Sequence, residues 1–149
     1  VVSYIKALQS QKIIATAKHF TCENEQWKRF QLDMKVSERA LHEIYLPAFK
    51  SAVKDGQVMA IMAAYNKING IFGCEHPYLL KEILKGKWGF QGLVVSDWDA
   101  THSTVNSAKA GLDIEMPRGV YFGKKLIEAV NAGNVTQQEL DDKVRRVLR

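Results

Sequence analysis

The order of apolar and polar positions divides the chain into two alternating kinds of segment. Runs rich in β-branched and small apolar residues fall at 13–17, 58–65, 93–96 and 112–116. Their apolar character at successive positions predicts strands buried on both faces of a parallel sheet. Helical periodicity lies between them. Ser37 is placed to cap a helix whose apolar stripe is Leu41, Ile44, Ala48, Phe49 and Ala52, with Pro47 expected to kink or split it. Pro77 stands at the first turn of a second helix, carrying Leu80, Ile83 and Leu84. A third, with Leu126, Ile127 and Val130, stops at Gly133, a good residue just past a helix end. Thr136 and Glu139 have capping-box spacing ahead of Leu140, Val144, Val147 and Leu148, so a last helix starts there. Thr136 also completes a glycosylation sequon with Asn134, and the cap is an equally good reading of it.

Strands alternating with helices build right-handed βα units on a parallel sheet. The expected fold is therefore α/β with about four βα units. In such sheets binding and chemistry gather at the carboxyl edge of the strands. The length of 149 residues suits one core but not a complete eightfold βα barrel, which takes about 200 residues at the least.

Composition narrows the function by exclusion. The longest apolar run has eight residues, 58–65, where a membrane-spanning helix needs about 20, so no membrane partner is expected. The opening VVSYIKALQ shows no basic leader or small-residue cleavage site, and no compartment is read from it. Cys22 and Cys74 are too few for a disulfide scaffold and lack zinc-type spacing,. The net charge of +5 raises the question of nucleic acid, yet the bases are dispersed. The densest group, Lys143, Arg145, Arg146 and Arg149, is interleaved with Asp141 and Asp142 and reads as a solvated helix face. No nucleic-acid partner is expected.

The four run ends read Lys18-His19-Phe20, Met62 to Asn66, Ser96-Asp97-Trp98-Asp99 and Asp113 to Met116. Polar, aromatic and titratable residues thus converge on one edge. Asp97 leaves its strand directly into a loop, where a carboxylate serves as nucleophile, base, metal ligand or helix cap. Asp99 shares its face if the segment stays extended. Lys18 and His19 offer donors that grip hydroxyls or hold a carboxylate ionised; a structural ion pair is the alternative for Lys18. Tyr65 and Trp98 present flat apolar faces suited to a sugar ring, and Met62 sits beside them. Together these residue types suit a carbohydrate pocket, with a core role the alternative for Tyr65 and Trp98 and packing for Met62.

The segment ILKGKWGFQGLVVSDWDA, residues 83–100, resembles the active-site signature of glycoside hydrolase family 3, the β-glucosidase family. ATAKHF at 15–20 is similar to that family's lysine–histidine strand, and SERALHEIYLPAF at 37–49 to the helix after it. Residues 62–69, GLDIEMP at 111–117 and the closing helix continue the likeness in order, so it covers essentially the whole chain. The resemblance implies a retaining β-glucosidase that releases non-reducing terminal β-D-glucose, with Asp97 as nucleophile. It further implies that Lys18, His19, Met62, Tyr65 and Trp98 bind the sugar in the −1 subsite. It calls for no metal or cofactor.

Two departures stand out. The family's Asn-Asn-Gln-Glu stretch is here Glu23-Asn24-Glu25-Gln26, followed by Arg29. The Pro-Gly-His-Gly run of the N-acetylglucosaminidase branch is absent after Phe20, which favours a glucosidase-type substrate. The resemblance also places the chain in the C-terminal half of a (β/α)8 TIM barrel. The first half of the barrel and the domain bearing the acid/base glutamate then lie elsewhere. Open sheet edges, low stability or self-association, and weak catalysis by the chain alone are the expectations. Rival readings are a Schiff-base lyase using Lys18, a metal-dependent hydrolase using His19, Asp97, Asp99 and His102, and a non-catalytic sugar-binding remnant.

Overall fold

The computed structural model describes all residues, 1–149. In chain order the elements are α1 (Val2–Ser10), β1 (Thr16–Phe20), β2 (Asp33–Met34) and α2 (Glu38–Ala40). A wide π-helical turn, Leu41–Tyr45, leads into α3 (Pro47–Lys54). Next come β3 (Ala60–Ala63), β4 (Lys67–Ile68), β5 (Ile71–Phe72), a short 3-10 turn Gly73–Glu75 and a π-type helix Tyr78–Lys87. The chain closes with β6 (Leu93–Trp98), α4 (Val105–Ala110), β7 (Ile114–Met116), α5 (Lys124–Asn131) and α6 (Gln137–Leu148).

The main sheet is parallel throughout, in the order β1-β3-β6-β7, and it does not close into a barrel. The register sets Thr16 beside Ala60 and Ala60 beside Leu93, then Met62 beside Val95 and Val95 beside Ile114. These residues line one face. The other face carries Ile61, Ala63, Val94 and Ser96, all fully enclosed, against a core that includes Phe20, Leu46, Leu80, Ile83, Leu84 and Phe90. Enclosing Ile61 and Val94 contributes about 1.5–3 kcal/mol each. Phe20 meets Phe49 and Trp88 edge to face at centroid distances of 5.0 and 6.1 Å.

Burial on both faces, expected from the apolar runs, is therefore corrected: helices cover one face only, and Met62, Leu93, Val95 and Ile114 are half-buried on the open one. The first strand is also displaced. Ile13 and Ile14 are exposed and precede β1, so Lys18 and His19 lie within the strand, not beyond its end. Polar residues are tolerated there because β1 is an edge strand with an uncovered face.

The helix signals fared well at the ends and less well along the faces. The Ser37 hydroxyl accepts from the Ala40 N–H at 3.2 Å, Gly133 follows α5 with φ 74°, and the Thr136–Glu139 capping box is complete. The predicted stripe on the first long helix is rotated, however. Leu46 N–H donates to Leu41 O, five residues back, and this wider turn shifts the phase. Of the predicted stripe, Leu41 and Ala52 are buried and Phe49 is half-buried against the core, but Ile44 and Ala48 face solvent, and Leu46 and Val53 are buried in their place.

Two backbone approaches depend on glycine. A Cβ on Gly92 would stand 2.1 Å from Met59 O, where Leu93 N–H meets the same oxygen at 3.0 Å. Asn69-Gly70, with φ of 51° and 93°, forms the two-residue turn of the β4–β5 hairpin, a conformation that favours this pair. β2 joins the hairpin as a parallel third strand. The Asn69 side chain continues that pairing, accepting from Val36 N–H and donating to Val36 O at 2.9 and 2.8 Å. Asp33 accepts from Gly70 N–H at 2.8 Å. This small sheet anchors the far end of the loop between β1 and β2.

Candidate active site

Asp97 is the penultimate residue of β6, and its Cα follows Ser96, which lies level with Ala63 and, one strand further, Phe20. Its residue exposure is only 5%. One carboxylate oxygen, Oδ1, accepts the Trp98 N–H at 2.7 Å. The other, Oδ2, lies 3.0 Å from His19 Nε2, yet the ring N–H is not aligned on it and Oδ2 has no hydrogen-bond partner. Peptide bonds Lys18–His19 and Phe20–Thr21 are cis.

The loop after β1 completes a ring of side chains around this carboxylate. Glu23 Oε2 lies 3.5 Å from His19 Nδ1. Gln26 Nε2 donates to Glu23 Oε1 at 3.1 Å, and Arg29 Nη1 donates to Gln26 Oε1 at 2.8 Å. The Arg29 guanidinium lies over the Tyr65 ring, 4.1 Å from its centroid, and Phe30 meets the same ring edge to face at 4.6 Å. Burial first, and the neighbouring Asp97 carboxylate next, push the Tyr65 phenol up to about 12. It therefore stays protonated at neutral pH, a donor beside Asp97.

The remaining sequence-derived site residues divide. Met62 is half-buried on the open face, level with Val95. Trp98 is 54% exposed, a free aromatic face at the rim. Lys18 is exposed on β1 and takes no part in the ion pairs around Asp97. It lacks the apolar enclosure that activates a Schiff-base lysine.

Asp99 does not share the Asp97 face. The chain turns at φ 61°, and Asp99 pairs with Arg118 at 3.2 Å on the surface. His102 stacks on Phe72 at 3.7 Å, tying the loop after β6 to the hairpin. Burial first holds His102 below the ordinary histidine value. Of the four groups in the metal-hydrolase reading, only His19 and Asp97 meet.

Two residues expected at the carboxyl edge prove structural. Glu115 accepts the backbone N–H groups of Val120, Tyr121 and Phe122 at 3.1, 2.8 and 2.7 Å, shaping the loop after β7. Asp113 precedes β7 and is buried at the opposite end of the sheet, accepting Val94 N–H at 2.7 Å and Lys85 Nζ at 2.7 Å. Burial raises the Asp113 carboxyl and lowers the Lys85 ammonium, outweighing their mutual attraction.

The basic cluster near the end of the chain is solvated only in part: Arg145 and Arg149 are exposed, but the other two members turn inward. Lys143 is 5% exposed and donates to Ala108 O and Leu112 O at 2.7 and 2.8 Å. Arg146 donates to Phe90 O and Gly92 O at 2.8 and 3.0 Å. Both thiols are free and buried. Burial raises Cys22 to about 11 and, with Glu75 and Asp97, pushes Cys74 further up, so neither is a thiolate nucleophile.

The pattern described as glycosyl hydrolase family 3 N terminal domain matches residues 1–149. The chain belongs to glycosyl hydrolase family 3. A β-glucosidase of Rhizobium radiobacter is 45% identical over 99% of this family 3 chain, which spans 18% of that enzyme. Thermostable beta-glucosidase B of Acetivibrio thermocellus is 44% identical over 99% of the chain and 20% of the relative. The solved GH3 beta-glucosidase of Bifidobacterium adolescentis superposes with a TM-score of 0.95 at 36% identity, covering 99% of this chain and 22% of that one. Beta-glucosidase 3B of Thermotoga neapolitana, solved in complex with glucose, gives 0.93 at 40% identity over 99% and 22%. The family 3 chain thus spans about a fifth of the relatives it matches, and the α/β parallel sheet expected from the run pattern, with the partial (β/α)8 barrel implied by the resemblance, agrees with those neighbours.

Glu23 and Arg29 stand in sequence as part of a loop that departs from the family stretch. Nothing in local periodicity marks that loop as folding back on β3 and β6. The spacing of Glu23, Gln26 and Arg29 by threes was the available signal.

Proposed function

We propose that the polypeptide carrying this family 3 chain hydrolyses β-glucosides with retention of configuration, and that Asp97 is its nucleophile. The observation that carries the reading is the unpartnered Oδ2 of a buried aspartate at the carboxyl end of β6, 3.0 Å from His19 Nε2. An acceptor with a free lone pair, flanked by donors, suits attack on an anomeric carbon. The glucose complex of the Thermotoga neapolitana relative supports a glucose-type ring as the substrate.

In the first displacement Asp97 Oδ2 bonds to C1 as the C1–O bond to the aglycone breaks, and the departing oxygen takes a proton from a general acid. In the second, water attacks C1 of the glycosyl ester, gives its proton to the same group acting as base, and Asp97 leaves as carboxylate. Two inversions restore the β configuration. Lys18 and His19 bind sugar hydroxyls, Met62 and Tyr65 form the floor, and Trp98 walls the leaving-group side. Oδ1 is held by the Trp98 N–H, which leaves Oδ2 as the attacking atom. Working without a general acid lowers the rate about 10²–10⁴-fold. A chain acting alone then turns over only substrates whose leaving group needs no protonation.

The test uses aryl glucosides of strongly acidic phenols, with a 2-deoxy-2-fluoroglucoside of the same phenol as a trap. Wild type forms a glycosyl ester on the peptide containing Asp97, and Asp97→Ala forms none. Equal phenol release by both proteins, or a label on another peptide, overturns the assignment.

A further inference from the structure

We infer that His19, Glu23 and Asp97 form a binding site for a divalent transition-metal cation of the zinc class, and that this cation and the sugar exclude one another. One donor atom from each of the three residues lies within 4.8 Å of the others. Two of those donors are carboxylates with side-chain exposures of 2% for Glu23 and 7% for Asp97. Glu23 Oε2 and Asp97 Oδ2 are both buried, and neither has a hydrogen-bond partner.

Buried acceptors are normally satisfied, and like charges enclosed this closely repel. A dication resolves both difficulties at once. It neutralises the two carboxylates and takes up the lone pairs that the misaligned His19 ring leaves free.

The donor set fits that class of ion. One imidazole and two carboxylates are an N/O set of the kind zinc takes in three-ligand sites with an open fourth position. Bonds of about 2.0–2.2 Å place tetrahedral donors about 3.4 Å apart. His19 Nε2 stands 3.0 Å from Asp97 Oδ2, close to that spacing, whereas Glu23 Oε2 lies 3.5 Å from the other ring nitrogen, Nδ1, and swings toward Nε2 to share the ion. The carboxylate–carboxylate edge closes by rotation of Glu23, which is tethered through Oε1 to Gln26 at 3.1 Å and to Arg29 at 4.0 Å. The site depends on the carboxylate that this chain holds at position 23, since an uncharged amide there would offer a cation no ligand charge.

The exclusion of sugar rests on the function proposed above, since it requires Asp97 Oδ2 to be the atom that faces C1; cation binding does not rest on it. The 149-residue chain, stripped with chelator, is titrated with zinc chloride by calorimetry. One saturable equivalent is expected, weakened at least about tenfold by Glu23→Gln and by Asp97→Asn, since each removes a ligand charge. His42→Gln, on an exposed helix, leaves it unchanged. Wild-type affinity in both site variants, no saturable equivalent, or loss of binding in His42→Gln overturns the site. If a site variant fails to fold, X-ray absorption of the wild-type complex decides: nitrogen and oxygen scatterers with one imidazole support the site, and sulfur at about 2.3 Å refutes it. Glucose added beforehand weakens zinc binding. Zinc binding that depends on Glu23 but ignores glucose overturns the exclusion and counts against the sugar subsite, leaving the cation site standing.

Discussion

Lys143 offers a test in which the sign of the pH effect is set by the structure. Its ammonium is buried and spends itself on two carbonyls, Ala108 O and Leu112 O. Burial first, with Lys85 nearby, pushes it down from 10.5 to about 8. In the unfolded chain the amine holds its proton up to the ordinary lysine value, so between about 8 and 10.5 the unfolded state binds more protons. Stability therefore rises with pH across that window and is lost as pH falls through about 8,. The cost of keeping the folded-state charge at pH 7 is about 3 kcal/mol.

Lys143→Met removes that cost together with both hydrogen bonds, and each orphaned carbonyl costs about 1–3 kcal/mol. At pH 7 the two effects nearly cancel. At pH 10 the neutral amine of the wild type still has two N–H donors for its two carbonyls,, and no charge to desolvate. The wild type should then exceed the variant by about 2–3 kcal/mol more than at pH 7. Urea unfolding followed by tryptophan fluorescence, extrapolated linearly at both pH values, measures the difference. A gap that is equal at the two pH values, or smaller at pH 10, refutes the reasoning.

Other outcomes follow from single contacts. Asp113→Ala leaves the Lys85 ammonium buried, with 9% of its side chain exposed, and orphans the Val94 N–H; unfolding should need about 3–5 kcal/mol less, and unchanged urea midpoints would contradict this. Gly92→Ala drives a Cβ to within 2.1 Å of backbone Met59 O and should cost about 3 kcal/mol or more, with a neutral melt as the contrary result. Thr136→Ala removes the α6 cap, which accepts Glu139 N–H at 3.2 Å, for about 1 kcal/mol in thermal unfolding. The uncovered sheet face and the outer edges of β1 and β7 should make the chain self-associate; a cooperatively melting monomer at low micromolar concentration in light scattering would show otherwise.

What could be read directly from the sequence was whatever is decided over a few residues. Caps are such a case, because Ser37, Gly133 and Thr136 satisfy or end a helix with groups one turn away,. So is the alternation that yields a parallel α/β sheet, and so is the arrival of Asp97 at the end of a buried run. The hairpin also had a local mark, Asn69-Gly70 between Lys67-Ile68 and Ile71-Phe72.

Only tertiary structure decided which face of each element is covered. The apolar stripe from Leu41 slipped at Ile44 and Ala48 because a wide turn, closed by Leu46 N–H on Leu41 O, brings Leu46 into the core in their place. Lys143 looked like a solvated charge because its neighbours Asp141 and Asp142 are polar, yet a long stem carries its amine to two carbonyls 31 and 35 residues away,. The same holds at the site. The candidacy of Asp97 was local, but the unpartnered state of its Oδ2 depends on a histidine from β1, a glutamate from the following loop and a tyrosine after β3. Chain folding brings those side chains together over separations that no short-range pattern records.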